Sequence, residues 1–174
     1  MLLQIDVNRR GTAAEILRWV VMAISPLTLS ELGAATNVRP SVGFSQDEVM
    51  RDQIYYCGCF LKIEEDEVCL IHQSAKDYLL RKSREPNLDL EVFRVKEEIG
   101  NLEIAKKCLD YLQNGSFTNG IVDLQKNTTH LKAFPLLSYA ALHWVEHAKL
   151  PPRSDDIFDL STTFYNEKSQ VCES

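Results

Sequence analysis

Apolar residues recur at helical spacing three times in the first 57 positions, each time behind a polar cap. Ile16, Leu17, Trp19, Val20, Val21 and Ile24 follow Thr12 and Glu15, a Thr-x-x-Glu pair suited to the free N–H groups of a helix start. Pro26 ends that period, because its ring removes a donor and clashes with the preceding turn. Thr28 with Glu31 opens a short helix through Leu29, Leu32 and Ala35 that runs out near Asn37. Ser45 with Glu48 opens a third, through Val49, Ile54 and Tyr55, which Gly58 ends. The pattern then changes to two β-like runs, 59–63 and 68–71, joined by the acidic turn Glu64-Glu65-Asp66-Glu67. Ser74 caps a further helix, with Asp77 in the acidic position of a capping box and Tyr78, Leu79 and Leu80 on the buried face. Three helices followed by a hairpin predict a winged helix over residues 12–82, with a two-stranded wing. Its expected core is Leu17, Val20, Val21, Leu32, Ile54, Leu61, Ile71 and Leu79, and the acidic wing turn is expected to be exposed.

Residues 81–98 are polar and contain Pro86, which predicts a connector with one extra turn near Phe93. From 94 to 168 the chain is expected to be a helical linker or array. One helix covers 99–112, with Leu102, Ala105, Leu109 and Leu112 along one side, and a polar loop follows over 114–120. Pro135 introduces a helix over 136–150 carrying Tyr139, Ala140, Leu142, His143, Trp144 and His147. Pro151-Pro152 stops it, and Ser154-Asp155-Asp156 caps a last amphipathic helix with Ile157, Phe158, Leu160 and Phe164. The predicted fold class is therefore mainly α.

A length of 174 residues suits one medium or two small domains, and a net charge of −6 argues against a nucleic-acid surface. No apolar run approaches the roughly 18 residues of a membrane span. Asp6, Asn8, Arg9 and Arg10 stand near the N-terminus without a small-residue cleavage site, so no secretory signal is expected. Five cysteines (Cys57, Cys59, Cys69, Cys108 and Cys172) form no regular framework, which points to a reduced, cytoplasmic chain in which the sequons at Asn114 and Asn127 are accidental.

Chemistry-bearing residues are sparse. His72 stands at a strand-to-helix junction, where an imidazole is held firmly yet faces outward, either towards a ligand or simply bonding a backbone group. Cys57, Cys59, Cys69 and His72 offer four zinc-type ligands, but Cys-x-Cys with Cys-x-x-His is not a finger spacing, and strand alternation makes Cys59 a buried small hydrophobe. His143 and His147 lie one helical turn apart, and with Trp144 they read better as a packed aromatic face than as metal ligands. No Gly-x-Ser-x-Gly elbow and no Gly-Lys-Ser/Thr phosphate loop is present, so neither catalysis nor nucleotide hydrolysis by this chain is expected. The third helix carries Asp47, Glu48 and Asp52 against Arg51, and with the acidic wing it would repel a phosphate backbone.

Three segments in order carry a family resemblance: Ile24-Ser25-Pro26-Leu27-Thr28-Leu29-Ser30-Glu31-Leu32, Cys57-Gly58-Cys59-Phe60-Leu61, and Ile71-His72-Gln73-Ser74-Ala75-Lys76-Asp77-Tyr78-Leu79. The series resembles the winged-helix segment that follows the NACHT nucleotide-binding domain in fungal NOD-like receptors, members of the STAND class of signalling NTPases. Ile104 to Leu112 and Tyr139-Ala140-Ala141-Leu142-His143-Trp144 resemble the helical linker beyond it, which in that family leads to ankyrin or WD repeats. The resemblance covers roughly residues 13–150. It implies a regulatory module with the NACHT and repeat domains as its partners in cis, no cofactor in this chain, and ADP or ATP in a full-length receptor. His72 falls where related receptors carry a Met-His-Asp motif whose histidine contacts the β-phosphate of ADP. Ile71 and Gln73 replace the flanking Met and Asp, so the acid's inter-helix hydrogen bond is not implied. The alternatives are a stand-alone helical adaptor that binds proteins and, on the fold alone, a DNA-binding winged helix.

Overall fold

The computed structural model describes residues 2–114 and 133–149. The loop expected beyond Asn114, the sequon at Asn127, the Pro151-Pro152 stop and the helix after Ser154 lie outside those residues. Packing divides the chain into two units, Met1–Gly100 and Asn101–Ser174.

The first unit runs α1 (Arg10–Met22), β1 (Leu27–Thr28), α2 (Leu29–Ala35), α3 (Gln46–Tyr56), β2 (Leu61–Glu64), β3 (Glu67–Leu70), α4 (Gln73–Leu79) and a short α5 (Leu88–Glu91). This helix–strand–helix–helix–strand–strand order is a winged helix. The chain is mainly helical with a small antiparallel sheet of order β1-β3-β2, so the wing has a third strand beside its predicted hairpin. Leu27 pairs with Val68 and Thr28 with Glu67. A two-residue strand is too short to show as alternation. Thr28 serves it doubly: its extended backbone (φ −69°, ψ 164°) ends β1, while its hydroxyl accepts from Glu31 N–H as the cap of α2.

Two predicted capping boxes are present in full. Glu31 accepts from Thr28 N–H at 2.8 Å, and Glu48 accepts from Ser45 N–H at 2.7 Å. The other two are not. α1 begins at Arg10, ahead of Thr12, because a preceding 3₁₀ turn (Val7–Arg9), capped by Asp6, feeds directly into it. Leu2 and Ile5 are buried there, and Arg10 binds Ile5 O at 3.1 Å and Asp89 at 2.9 Å. α4 is capped by His72, not Ser74: the imidazole Nδ1 accepts the Ser74 N–H at 3.1 Å.

The core contains Leu17, Val21, Leu32, Ile54, Leu61 and Leu79, as the periodicity predicts, and also Ile16, Trp19, Met50 and Phe93. Val20 is only half-buried, and Ile71 is 52% exposed. Parity explains Ile71. It lies an odd number of residues from Val68, so it projects from the opposite face of the sheet. The first predicted strand is also shorter at its start, since Gly58–Phe60 forms a 3₁₀ turn that leaves Cys59 exposed. Phe93 follows α5, the extra turn expected in the connector, and Val95 N–H bonds Leu79 O at 2.7 Å.

The wing turn is exposed, with Glu65 (φ 50°) and Asp66 (φ 72°) both left-handed, the geometry of a type I′ hairpin. Asp66 tolerates this conformation and Glu65 does not favour it, while Asp66 O accepts the Leu29 N–H at 3.0 Å, which ties the turn to a free donor of α2. Replacing Glu65 with Asn, which tolerates this conformation better, should raise stability by about 0.5 kcal/mol in urea unfolding at unchanged m-value.

In the second unit, α6 (Glu97–Asn114), which opens before the boundary, contributes Asn101, Ile104, Ala105, Cys108 and Leu109 to the interior. The buried stripe is rotated from the predicted one, with Leu102 and Leu112 only half-buried. α7 (Leu137–Lys149) buries Tyr139, Ala140 and His147, while Leu142 is 71% exposed.

Candidate functional site

His72 lies where β3 gives way to α4, in extended backbone (φ −157°, ψ 151°), and is exposed. Nδ1 accepts the Ser74 N–H and lies 2.9 Å from Ser74 Oγ. With Nδ1 acting as acceptor, a neutral ring carries its proton on Nε2, so a firmly held N–H donor is presented on an exposed residue. The Ser74–His72 contact is a cap and not a nucleophile–base pair, since the same nitrogen takes Ser74's own backbone N–H. Gln73, at the position of the missing acid, bonds Asp77 on its own helix at 3.2 Å. Below the junction the Tyr78 ring packs on Phe60 (6.3 Å) and under the Arg81 guanidinium (4.2 Å).

The cysteines near His72 are held differently from one another. Cys57 is buried, its Sγ lies 3.4 Å from Gln53 O, and burial pushes its thiol up to about 12. Cys59 is exposed and Cys69 half-buried. Among the described residues, no three His, Cys, Asp or Glu side chains form a group that could hold a metal ion.

α3 and the wing form the second notable face. Residues 45–67 hold seven acids and two bases, a net of −5 in a chain of −6. Both bases are ion-paired within the face, Arg51 with Asp66 and Lys62 with Glu64, each at 2.7 Å. Tyr55, read as part of the apolar side of α3, is 80% exposed. Ile54 beside it takes the interior, and adjacent helical positions cannot share one face.

In the second unit His147 is fully buried, with Nε2 2.8 Å from the Tyr139 hydroxyl and Nδ1 2.8 Å from Asn101 Oδ1. Both ring nitrogens are thereby engaged: Nδ1–H donates to the amide oxygen and Nε2 accepts from the phenol. Burial, reinforced by His143, pushes its pKa down to about 4. The sequence pattern marks the aromatic face, but not Asn101, whose polar side chain lies among apolar neighbours 46 residues away.

The fold and the order of its elements define a winged-helix domain, here one with an acidic wing. Residues 2–91 match the family model described as GPI inositol-deacylase, winged helix domain, and the chain belongs to that family. It is also 28% identical, over 160 aligned positions, to azaphilone pigments biosynthesis cluster protein L of Monascus ruber. That alignment covers 84% of this chain, so the likeness extends past the winged helix into the second unit. The chain spans only a third of that relative's length (33%). No solved structure matches it. Among the described residues no helix is long and apolar enough to cross a membrane.

Proposed function

We propose that this chain is a non-catalytic regulatory module of a NACHT-type signalling NTPase. It gates the ADP-bound state of a preceding nucleotide-binding domain and joins that domain to C-terminal ankyrin or WD repeats, in the cytoplasm. The observation that carries this reading is His72. An exposed imidazole, fixed through Nδ1 at a strand-to-helix junction, offers its other nitrogen to a diphosphate held by a neighbouring domain. Exposed Ile71 beside it supplies apolar surface for the same contact. The length of the Monascus relative accommodates such flanking domains, and its likeness across both units suits a winged helix and linker that travel together. Binding of DNA is disfavoured, because an α3–wing face of net −5 repels phosphates.

Gating works through differential contact: the closed state gains the imidazole–phosphate bond, and the open state loses it. A charge-assisted bond of about 1.5–3 kcal/mol biases the two states by roughly ten- to a hundredfold. In a transcript carrying this segment, an upstream in-frame Gly-x-x-x-x-Gly-Lys-Ser/Thr is expected. His72→Ala in that protein should speed ADP release by about tenfold or more, with the melting temperature lowered by no more than the few degrees that the loss of one helix cap explains. A transcript without a phosphate loop, or an unchanged release rate, overturns the reading. The 174-residue chain alone should show no measurable ADP binding by calorimetry, since one imidazole cannot replace a phosphate cradle.

A further inference from the structure

We infer that the groove between α3 and the wing is a docking site for a cationic amphipathic segment of a protein partner. The groove is open, about 530 Å³ in volume, and is walled by Ile54, Tyr55, Cys59, Leu61 and Ile63. Gly58, Arg51 and Lys62 complete its lining, and each of the two bases is ion-paired with a wing acid. Tyr55 stands 80% exposed at the edge, a rigid ring with apolar area and a hydroxyl, the kind of side chain that anchors protein interfaces at low entropic cost. The φ +69° of Gly58 turns the chain sharply after α3, and the following 3₁₀ turn keeps Cys59 in the wall.

Charge decides the occupant. Residues 45–67, which supply every lining residue of the groove, hold nearly all the net negative charge of the chain, and the two bases among them are paired with Glu64 and Asp66. Asp52 lies one turn before Tyr55 on α3, and Glu65 and Glu67 remain on the wing as exposed acids. An apolar groove on so acidic a segment complements a partner whose Leu or aromatic residues enter the groove while its Lys and Arg residues meet the exposed acids of α3 and the wing. A second copy of this chain would bring acid to acid, and a nucleic acid would bring phosphate to acid.

The experiment titrates the full 174-residue chain into a fluorescein-labelled 18-residue peptide of Leu and Lys patterned as an amphipathic helix, read by anisotropy at two salt concentrations. A second peptide with Glu at every Lys position is the charge control. Binding of the Lys peptide that weakens with salt, and none by the Glu peptide, is expected. Tyr55→Ser and Glu65→Lys should each weaken it by about fivefold or more. Glu98→Lys, on the first turn of α6, alters the net charge without touching the groove and should leave the affinity within about twofold. All these positions are exposed, so circular dichroism should report unchanged folding. Equal losses from Glu98→Lys and from Glu65→Lys, which change the net charge by the same amount, would make the attraction one of bulk charge and overturn the site. Tight binding that survives Tyr55→Ser would place the peptide elsewhere and do the same.

Discussion

Leu79→Ala should destabilise the first unit by about 2–5 kcal/mol, the largest effect expected from a single truncation in α4. Leu79 is fully buried, and its carbonyl accepts the Val95 N–H at 2.7 Å. The side chain therefore packs α4 at the point where the backbone also fastens the segment that carries Phe93 and Val95 into the core. Removing three carbon atoms there leaves a cavity that the clamped backbone cannot close, which puts the cost at the upper part of the range. Urea unfolding followed by Trp19 fluorescence, from a core tryptophan of the same unit, measures it. A loss below about 1 kcal/mol would mean that α4 is not docked on the winged helix.

The second large effect is a loss of stability in acid that belongs to His147. Its folded pKa lies near 4, below the ordinary 6.5, so the native state resists a proton that the unfolded chain accepts. The sign follows directly: stability is full above about pH 6.5 and falls as pH drops from there towards 4, by about 3 kcal/mol in all. Buried desolvation is the main cause, and the neighbouring His143 adds to it while Glu146 opposes it. Protonation also breaks a hydrogen bond, because the imidazolium has no lone pair left for the Tyr139 hydroxyl. Hydrogen exchange of α7 amides between pH 7 and pH 4.5 reads the effect within the second unit. Tyr139→Phe should weaken the unit at neutral pH by about 1–2 kcal/mol, because it leaves Nε2 buried without its donor. An exchange profile flat with pH would require a His147 that is not buried as a neutral ring.

His147 and His72 show how differently two histidines are used. One is saturated by internal partners and cannot ligate anything without unfolding its surroundings. The other spends one nitrogen on a helix cap and keeps an N–H donor on an exposed residue, which suits a contact with another domain. The Ser74 N–H that fixes His72 is local, so His72→Ala should loosen the first turn of α4 without disturbing Leu79 beneath it.

Two helix starts, one helix end and the hairpin are legible from residue spacing alone. Thr28 with Glu31 and Ser45 with Glu48 mark two helix starts because a capping box involves residues only three apart. Gly58 marks the end of α3 because few other residues adopt φ +69° without strain. The change from helical to alternating spacing after Gly58 placed the hairpin, and the acidic run placed its turn. Tertiary structure decided what depends on distant neighbours. β1 exists because Val68 and Glu67 are there to pair with two residues that show no pattern alone. α1 gains its first turn because Arg10 reaches Asp89, and Leu2 and Ile5 find a core to enter. Ser74 yields the cap of α4 to His72 because the backbone at the end of β3 is extended enough for the ring to turn back onto the helix. Asn101 becomes a partner of His147, 46 residues away, only when the two helices that carry them meet. Local hydrogen-bond rules act within a turn and can be read from spacing, whereas burial and pairing depend on which surfaces the folded chain brings together.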